Sequence, residues 1–408
     1  MKRYAVPLLT ALFLLMSAAV PQAAADNEPA SAPPVEVSAK ACLLMERETG
    51  TVLYAEHEHD QLEPASVTKV MTMLLTVEAL DSGTIHKEDL VSASEHAASM
   101  GGSQVYLKEG EQMSVHDLLK SVAVASGNDA AVALAEYQAG SEQAFVDKMN
   151  ARAKELGMKD THFVNCNGLP ADGHVTSASD IALMSRELLS HDTIREYVGT
   201  WMDTIRDGEF HLSNTNKLIR FYDGATGLKT GSTDSAGFCI SASAQRENME
   251  LIAVILGSKT SAERFNSAKS LLNYGFGAYT LVDAAPETPL PAVPVTLGQQ
   301  DAVALERKDS CTLLVPRGDA DKITTAVETE ETAAAPVQAG DQLGTLTISV
   351  DGKPVKQLPL TAAETVEKLT FGALFQRLWQ SMAGTGRAPM NAVGEEPSGS
   401  ASLSSGQG

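Results

Sequence analysis

Cysteine is scarce in this chain of 408 residues. There are four, Cys42, Cys166, Cys239 and Cys311, and none stands in a C-x-x-C pair. That argues against a structural zinc site or a thioredoxin-type redox motif. The spacings are wide and the chain is long enough to build a core without cross-links, so buried free thiols are expected. Basic residues are also few: 31 Lys and Arg against 52 Asp and Glu, a formal charge of −21 at pH 7. A chain this acidic is a poor partner for nucleic acid and is repelled as a whole by anionic lipid. Any membrane contact must come from a local apolar element. After residue 25 no apolar run is long enough to cross a bilayer.

The start of the chain is built differently. Lys2 and Arg3 precede an apolar stretch over residues 5–20, and Ala23 and Ala25 form an A-x-A site before Asp26. Residues 1–25 read as a secretory signal peptide. Residues 26–37, polar and proline-rich, read as a linker.

From residue 39 the apolar runs AKACLLME and TVLYAE flank the turn RETG, a hairpin signal. A helix is predicted from Pro64 and Ser66 onward, and a mostly helical block continues to about residue 195. GATGLKTGST, AGFCISASAQR and NMELIAVILG read as three strands on short turns, and ERFNSAKSLLNYGFGAY as a closing helix. Strands at both ends with helices between them predict one α/β unit over residues 38–282, its sheet joining N- and C-terminal strands. Prolines at 286–294 mark a boundary, and short β-type runs predict a small all-β domain over 283–363. In residues 364–384, Phe371, Leu374, Phe375, Leu378, Trp379 and Met382 share one helical face. This amphipathic helix is too short and polar to span a bilayer; it either anchors on a membrane surface or packs on the β domain, and its position favours the anchor. Residues 385–408 have the composition of a disordered tail.

PASVTKVMT (residues 64–72) places Ser66 and Lys69 three apart, one above the other on a helix. The bland reading is a serine cap with a lysine beside it. The chemical reading makes Ser66 a nucleophile and Lys69 its base, which requires a neutral lysine. A dry pocket and a second cation would supply that. Lys229, in ATGLKTGS, is the candidate cation. Between them SVAVASGNDAA breaks an apolar helix at Ser126, Gly127 and Asn128, where Ser126 can relay a proton and Asn128 can bond a substrate amide.

S-x-x-K, then S-x-N, then K-T-G, in this order, resembles the active-site set of the penicillin-recognising serine enzymes. PASVTKVMT, ASGNDAAVALAE, THFVNCNGL, GHVTSASDIALM and GLKTGSTDSAGFCISAS narrow the resemblance to the D-alanyl-D-alanine carboxypeptidases, the low-molecular-weight penicillin-binding proteins. It covers residues 38–280 strongly, and the β domain and terminal helix by layout. The implied fold is a β-lactamase/transpeptidase-like domain with an antiparallel sheet and a helical block. The implied substrate is the D-Ala-D-Ala end of a peptidoglycan stem peptide, with β-lactams as covalent inhibitors and no metal or cofactor. The implied catalytic residues are Ser66, Lys69 and Ser126. Asn128, Lys229, Thr230, Gly231, Ser232 and Arg264 bind substrate, Ser66 and Ser232 offering backbone N–H groups to an oxyanion, and Thr230 and Arg264 holding the terminal carboxylate. Two departures matter. Ser232 stands where some members have histidine, and His174, which matches a family histidine near the site, reads as structural. The resemblance places the enzyme on the outer face of the cytoplasmic membrane, in the cell-wall compartment.

A class A β-lactamase shares the three motifs, but its E-x-x-L-N pattern is missing between Ser126 and Lys229. A transpeptidase or endopeptidase on the same scaffold differs only in acceptor or substrate. A β-lactam sensor should carry a transmembrane helix after the leader, and a non-catalytic wall-binding protein should have lost Lys69 or Ser126.

Overall fold

The computed structural model describes residues 35–382; the expected leader, most of the linker and the expected tail lie outside them. A five-stranded antiparallel sheet organises the first unit. From edge to edge its strands are Val52–Glu56, Ala41–Glu46, Met249–Ser258, Gly237–Arg246 and Ala225–Thr233. The hairpin and the three later strands thus form one sheet, with N- and C-terminal strands adjacent. The RETG turn is stabilised from below: buried Glu46 accepts the N–H groups of Glu48 and Thr49 at 2.9 and 2.7 Å.

Both faces of the sheet are covered, which is why its central strands carry apolar side chains on both sides. Leu43, Met45, Ile252, Val254 and Leu256 face the helical block, including Lys69–Asp81 and Ala178–Leu188. Their neighbours Cys42, Leu44, Leu251, Ala253 and Ile255 face the helix Ser261–Ala278. That helix begins with a full capping box, Thr260 with Glu263. All four cysteines are buried and free. Two small two-stranded sheets outside the sequence expectation accompany the helical block. Leu90–Ser92 pairs with Gln112–Ser114, and Met202–Ile205 with Phe210–Ser213.

The second unit is all β. Leu305–Glu306, Lys353–Ala362, Gln342–Val350 and Ile323–Thr329 form one sheet around a core that includes Val293, Leu346, Ile348 and Leu360. Tyr279–Asp283, which follows the last helix of the first unit directly, pairs with Thr312–Pro316 and ties the two units together. Residues Val366 and Lys368 bridge to Val337 and Gly298, so the chain stays with the β unit to that point. The terminal helix runs Phe371–Met382, with Phe371, Leu374, Phe375, Trp379 and Met382 exposed. No helix among the described residues is long and apolar enough to cross a membrane.

Candidate active site

Ser66 does not cap a helix. It sits inside a 3-10 turn, Ala65–Thr68, that runs into Lys69–Asp81, and neither helical start has a side-chain cap bond. The serine hydroxyl is therefore free of the backbone and faces Lys69. The turn holds Ala65 at φ +48, a conformation that costs an alanine on the order of 1 kcal/mol or more. Its surroundings enforce it. The Thr68 hydroxyl donates to Ala65 O at 2.9 Å. Val164 N–H donates to His174 Nδ1 at 3.0 Å, which fixes the other ring nitrogen as the donor to Thr68 Oγ1 at 2.7 Å. Burial holds the His174 imidazole neutral, with its pKa lowered to about 4. His174 thus has a structural place, acting on the turn that presents Ser66. Two glycines close the remaining sides. A Cβ on Gly168 (φ +85) would overlap the Ala65 carbonyl, and one on Gly231 would sit 2.7 Å from Ser66 N and 2.9 Å from Pro64 O.

Lys69 is fully buried, and its Nζ has three oxygen neighbours: Asn128 Oδ1 at 2.5 Å, Asn167 O at 2.6 Å and Ser66 Oγ at 3.0 Å. Asn167 O is held there because the loop before it is tied down: Thr72 donates to Cys166 O at 2.5 Å, and Gly168 N–H to Asn165 Oδ1 at 2.7 Å. The amide and peptide oxygens can only accept. A neutral amine has two N–H groups and one lone pair. The two N–H groups satisfy Asn128 and Asn167, and the lone pair is left for the Ser66 hydroxyl. Burial lowers the Lys69 pKa to about 7, against the weaker upward pull of Cys166 and Asp129.

The sequence argument gave Lys229 the task of neutralising Lys69. Burial is the first cause on Lys69, and Lys229 is a second buried lysine coupled to it. Lys229 is pushed well below the usual lysine range by burial first, then by Lys69 and Arg264. Lys229 is 1 % exposed and donates to Thr230 O at 2.8 Å.

The SGN segment breaks its helix in two steps. A wide turn over Ser121–Ala125 precedes Ser126 at φ +63, and a new helix begins at Asn128. The left-handed residue turns Ser126 into the same cavity as Ser66. Asn128 is more committed than expected: while its oxygen holds Lys69, its Nδ2 donates to Gly101 O at 2.7 Å. A cavity of about 150 Å³ brings together Ser66, Ser126, Thr230, Gly231, Ser232 and Arg264. Arg264 opens its helix but is no surface residue. It is 6 % exposed and donates to Gly231 O at 3.1 Å and Cys239 O at 3.2 Å. Its Nε is buried without a partner, and burial lowers its pKa to about 10.

Ser103 and Thr215 complete the cavity wall and were not anticipated. Thr215 accepts the Thr230 hydroxyl at 2.7 Å, and its N–H donates to Val124 O at 3.2 Å. Neither lies in a chemical motif. The only local signal for Thr215 was the pair of asparagines around it, of which Asn216 donates to Gly227 O at 2.8 Å.

Comparisons with known proteins identify the family and the fold. Residues 26–260 match the family Peptidase S11, D-alanyl-D-alanine carboxypeptidase, and residues 286–368 match the penicillin-binding protein 5 C-terminal domain. D-alanyl-D-alanine carboxypeptidase DacF of Bacillus subtilis is 42% identical over 382 residues, 92% of this chain and 98% of that protein. Penicillin-binding protein 5 of Haemophilus influenzae superposes with a TM-score of 0.73 at 29% identity, covering 82% of this chain and 99% of the other. Penicillin-binding protein D2 of Listeria monocytogenes, solved in its ampicillin-bound form, superposes at 0.55 with 32% identity, covering 60% of this chain and all (100%) of the other. The chain therefore belongs to the D-alanyl-D-alanine carboxypeptidase family and is an enzyme of that activity.

Proposed function

We propose that Ser66 is the nucleophile of this carboxypeptidase, Lys69 its general base, and the D-Ala-D-Ala end of a peptidoglycan stem peptide its substrate. The observation that carries the assignment is the Lys69 amine: buried, poised near neutrality, both N–H groups spoken for, and its third contact the Ser66 hydroxyl. Ser66 gives its proton to Lys69 as Oγ attacks the penultimate carbonyl carbon. The tetrahedral oxyanion is held by the backbone N–H groups of Ser66 and Ser232. The C–N bond breaks, the departing D-alanine takes a proton through Ser126, and the acyl group stays on Ser66. Water then adds to the ester carbon and gives up a proton, Ser66 Oγ recovers its hydrogen, and the shortened peptide leaves as a carboxylic acid. Ser126 and Lys229 serve the leaving amine and the incoming water. Asn128 holds Lys69 and bounds the acyl side, and Gly231 lets the strand approach the Ser66 turn.

Thr230 and the buried cation Arg264 hold the terminal carboxylate, whose charge the otherwise electropositive cavity attracts. A β-lactam follows the first half of the same course and leaves the enzyme acylated, in keeping with the ampicillin-bound relative. Labelled penicillin attaches to the native protein and not to Ser66→Ala; a labelled alanine variant refutes the nucleophile. D-alanine release from diacetyl-Lys-D-Ala-D-Ala, assayed with and without an added amine, measures hydrolysis against transfer.

The division of labour along the chain belongs to the same proposal. An exported chain loses residues 1–25. Its catalytic unit spans 38–282, its β unit runs from 283 past the expected 363 to Lys368, and the helix Phe371–Met382 anchors it to the outer face of the cytoplasmic membrane. The row of exposed apolar side chains on Phe371–Met382 supports an interfacial helix. Because Val366 and Lys368 are bonded into the β unit, the clean truncation ends at Thr370. Vesicle pelleting of that shorter chain drops sharply; unchanged pelleting refutes the anchor.

A further inference from the structure

Lys69 directs two N–H groups at Asn128 Oδ1 and Asn167 O. The amine is therefore placed only as well as those two oxygens are. Asn167 O belongs to a loop gripped from two sides. The helix of Lys69 itself holds one side, through Thr72 to Cys166 O at 2.5 Å. The other side is held by Glu142, the first residue of the helix Glu142–Glu155, whose Oε1 accepts Cys166 N–H at 3.0 Å. That N–H lies one residue before the carbonyl that meets Lys69, so a shift there passes along the backbone to Asn167 O. Burial pushes the pKa of the Cys166 thiol up and keeps it protonated, and Glu142 is its hydrogen-bond partner as well.

The second carboxylate oxygen reaches a different segment. Glu142 Oε2 pairs with His96 Nε2 at 2.8 Å. His96 stands on the short helix Glu95–Ala98, and the chain leaving that helix supplies Gly101 O and Ser103 O. These accept Asn128 Nδ2 and Asn128 N–H, both at 2.7 Å. One carboxylate thus joins the segment that fixes Asn128 to the loop that carries Asn167. Its side chain is 18 % exposed and stands at a helix N-terminus, where negative charge is favoured. Burial works against that charge, but the bonds from His96 and Cys166 outweigh it and hold the carboxyl below its usual range. Glu142 lies in none of the S-x-x-K, S-x-N and K-T-G motifs.

We propose that Glu142 is a positioning residue for Lys69: by holding the Cys166 peptide it sets the Asn167 carbonyl, and through His96 it ties that carbonyl to the segment behind Asn128. This role deepens the proposed function and rests on it for Lys69 as the base. Glu142 itself touches neither the substrate nor the reacting atoms. Its reach matters more than its charge, because the placement comes from hydrogen bonds of fixed length. A glutamine keeps both bonds, its oxygen for Cys166 N–H and its amide N–H for a neutral His96. An aspartate keeps the charge but stops one methylene, about 1.5 Å, short.

Stopped-flow acylation by a fluorescent penicillin separates the limiting acylation rate from the concentration at half-saturation. Glu142→Asp lowers the limiting rate about tenfold and leaves half-saturation unchanged. Glu142→Gln stays within about twofold of the native rate, since the bonds that place Lys69 are kept. Partial unfolding would lower the amplitude of labelling and leave the rate per labelled molecule alone, so loss of fold by itself does not give this pattern. Either variant can overturn the role: an aspartate protein as fast as the native one, or a glutamine protein as slow as the aspartate one. A native protein that penicillin does not acylate counts against the proposed function instead. Crystal structures of the native and Glu142→Asp proteins then decide without reference to catalysis. In the variant, Asn167 O withdraws from Lys69 Nζ by more than about 0.5 Å, the tolerance of a working site. A contact that stays at its native 2.6 Å overturns the positioning role.

Discussion

Replacing Asn128 by aspartate tests the central claim about Lys69 with a nearly isosteric change. Burial brings the Lys69 pKa from its usual 10.5 to about 7. At pH 7 that raises the neutral fraction from about 1 in 3000 to about one half, a difference on the order of 5 kcal/mol in proton affinity. Asn128 Oδ1 lies 2.5 Å from Nζ. A carboxylate at that position favours the ammonium and raises its pKa by about two units, within the range for an adjacent opposite charge. The midpoint of acylation against pH then moves from about 7 to about 9, and acylation at pH 7 falls about 50-fold. Stopped-flow acylation by a fluorescent penicillin between pH 5 and 10 measures both proteins. The sign is specific: the variant recovers most of its rate in alkali, because a base works only when neutral. Loss of the bond from Nδ2 to Gly101 O adds a component that does not vary with pH. A midpoint that stays at 7 or falls, or a deficit of the same size at every pH, refutes the account of Lys69.

Three further outcomes follow from the same geometry. His174, neutral with its pKa lowered to about 4, binds fewer protons folded than unfolded between pH 4 and 6.5. Stability is therefore complete above pH 6.5 and is lost as the pH falls through that window, by at most about 3 kcal/mol; urea unfolding of His174→Gln shows a flatter pH dependence than the native protein. Gly231→Ala pushes a Cβ into Ser66 N, Pro64 O and Val67 N, all backbone. It costs about 1–3 kcal/mol of stability and, by shifting the nucleophile, about a hundredfold in acylation rate; a chain that acylates normally refutes the close approach. Arg264→Ala removes a charge-assisted partner of the substrate carboxylate, worth about 1.5–3 kcal/mol, so kcat/KM for the D-Ala-D-Ala peptide falls roughly 10- to 150-fold; the amidated peptide, lacking the carboxylate, loses far less.

The sequence held more of this site than is usual for a cleft assembled from distant segments. Ser66 and Lys69 are one helical turn apart, so local geometry alone brings them together. The K-T-G strand and its two partners were legible because nearly continuous apolar runs bounded by tight turns leave few other readings. The helix break at Ser126 was legible because Ser-Gly-Asn interrupts an otherwise buried alanine- and valine-rich run. The small hairpin Met202–Ser213 was not, since its strands are short and only partly apolar. Nor was the exact start of the terminal helix, because Val366 and Lys368 pair with the β unit through backbone groups that leave no trace in side-chain pattern.

What the sequence determined by itself, then, was the family and which side chains are the candidates for its chemistry, because those choices depend on side-chain identity and local spacing. What only the tertiary structure decided was their state. Lys69 is brought near neutrality by burial, and two oxygens, one of them a peptide carbonyl 98 residues away, orient its N–H groups; no residue identity encodes where a carbonyl will point. The same holds for Ala65, held at positive φ by Thr68, His174 and two glycines from other segments, and for Thr215 in the cavity wall. A motif names the groups; desolvation and the aim of backbone dipoles, which exist only once the chain has closed around them, set what those groups can do.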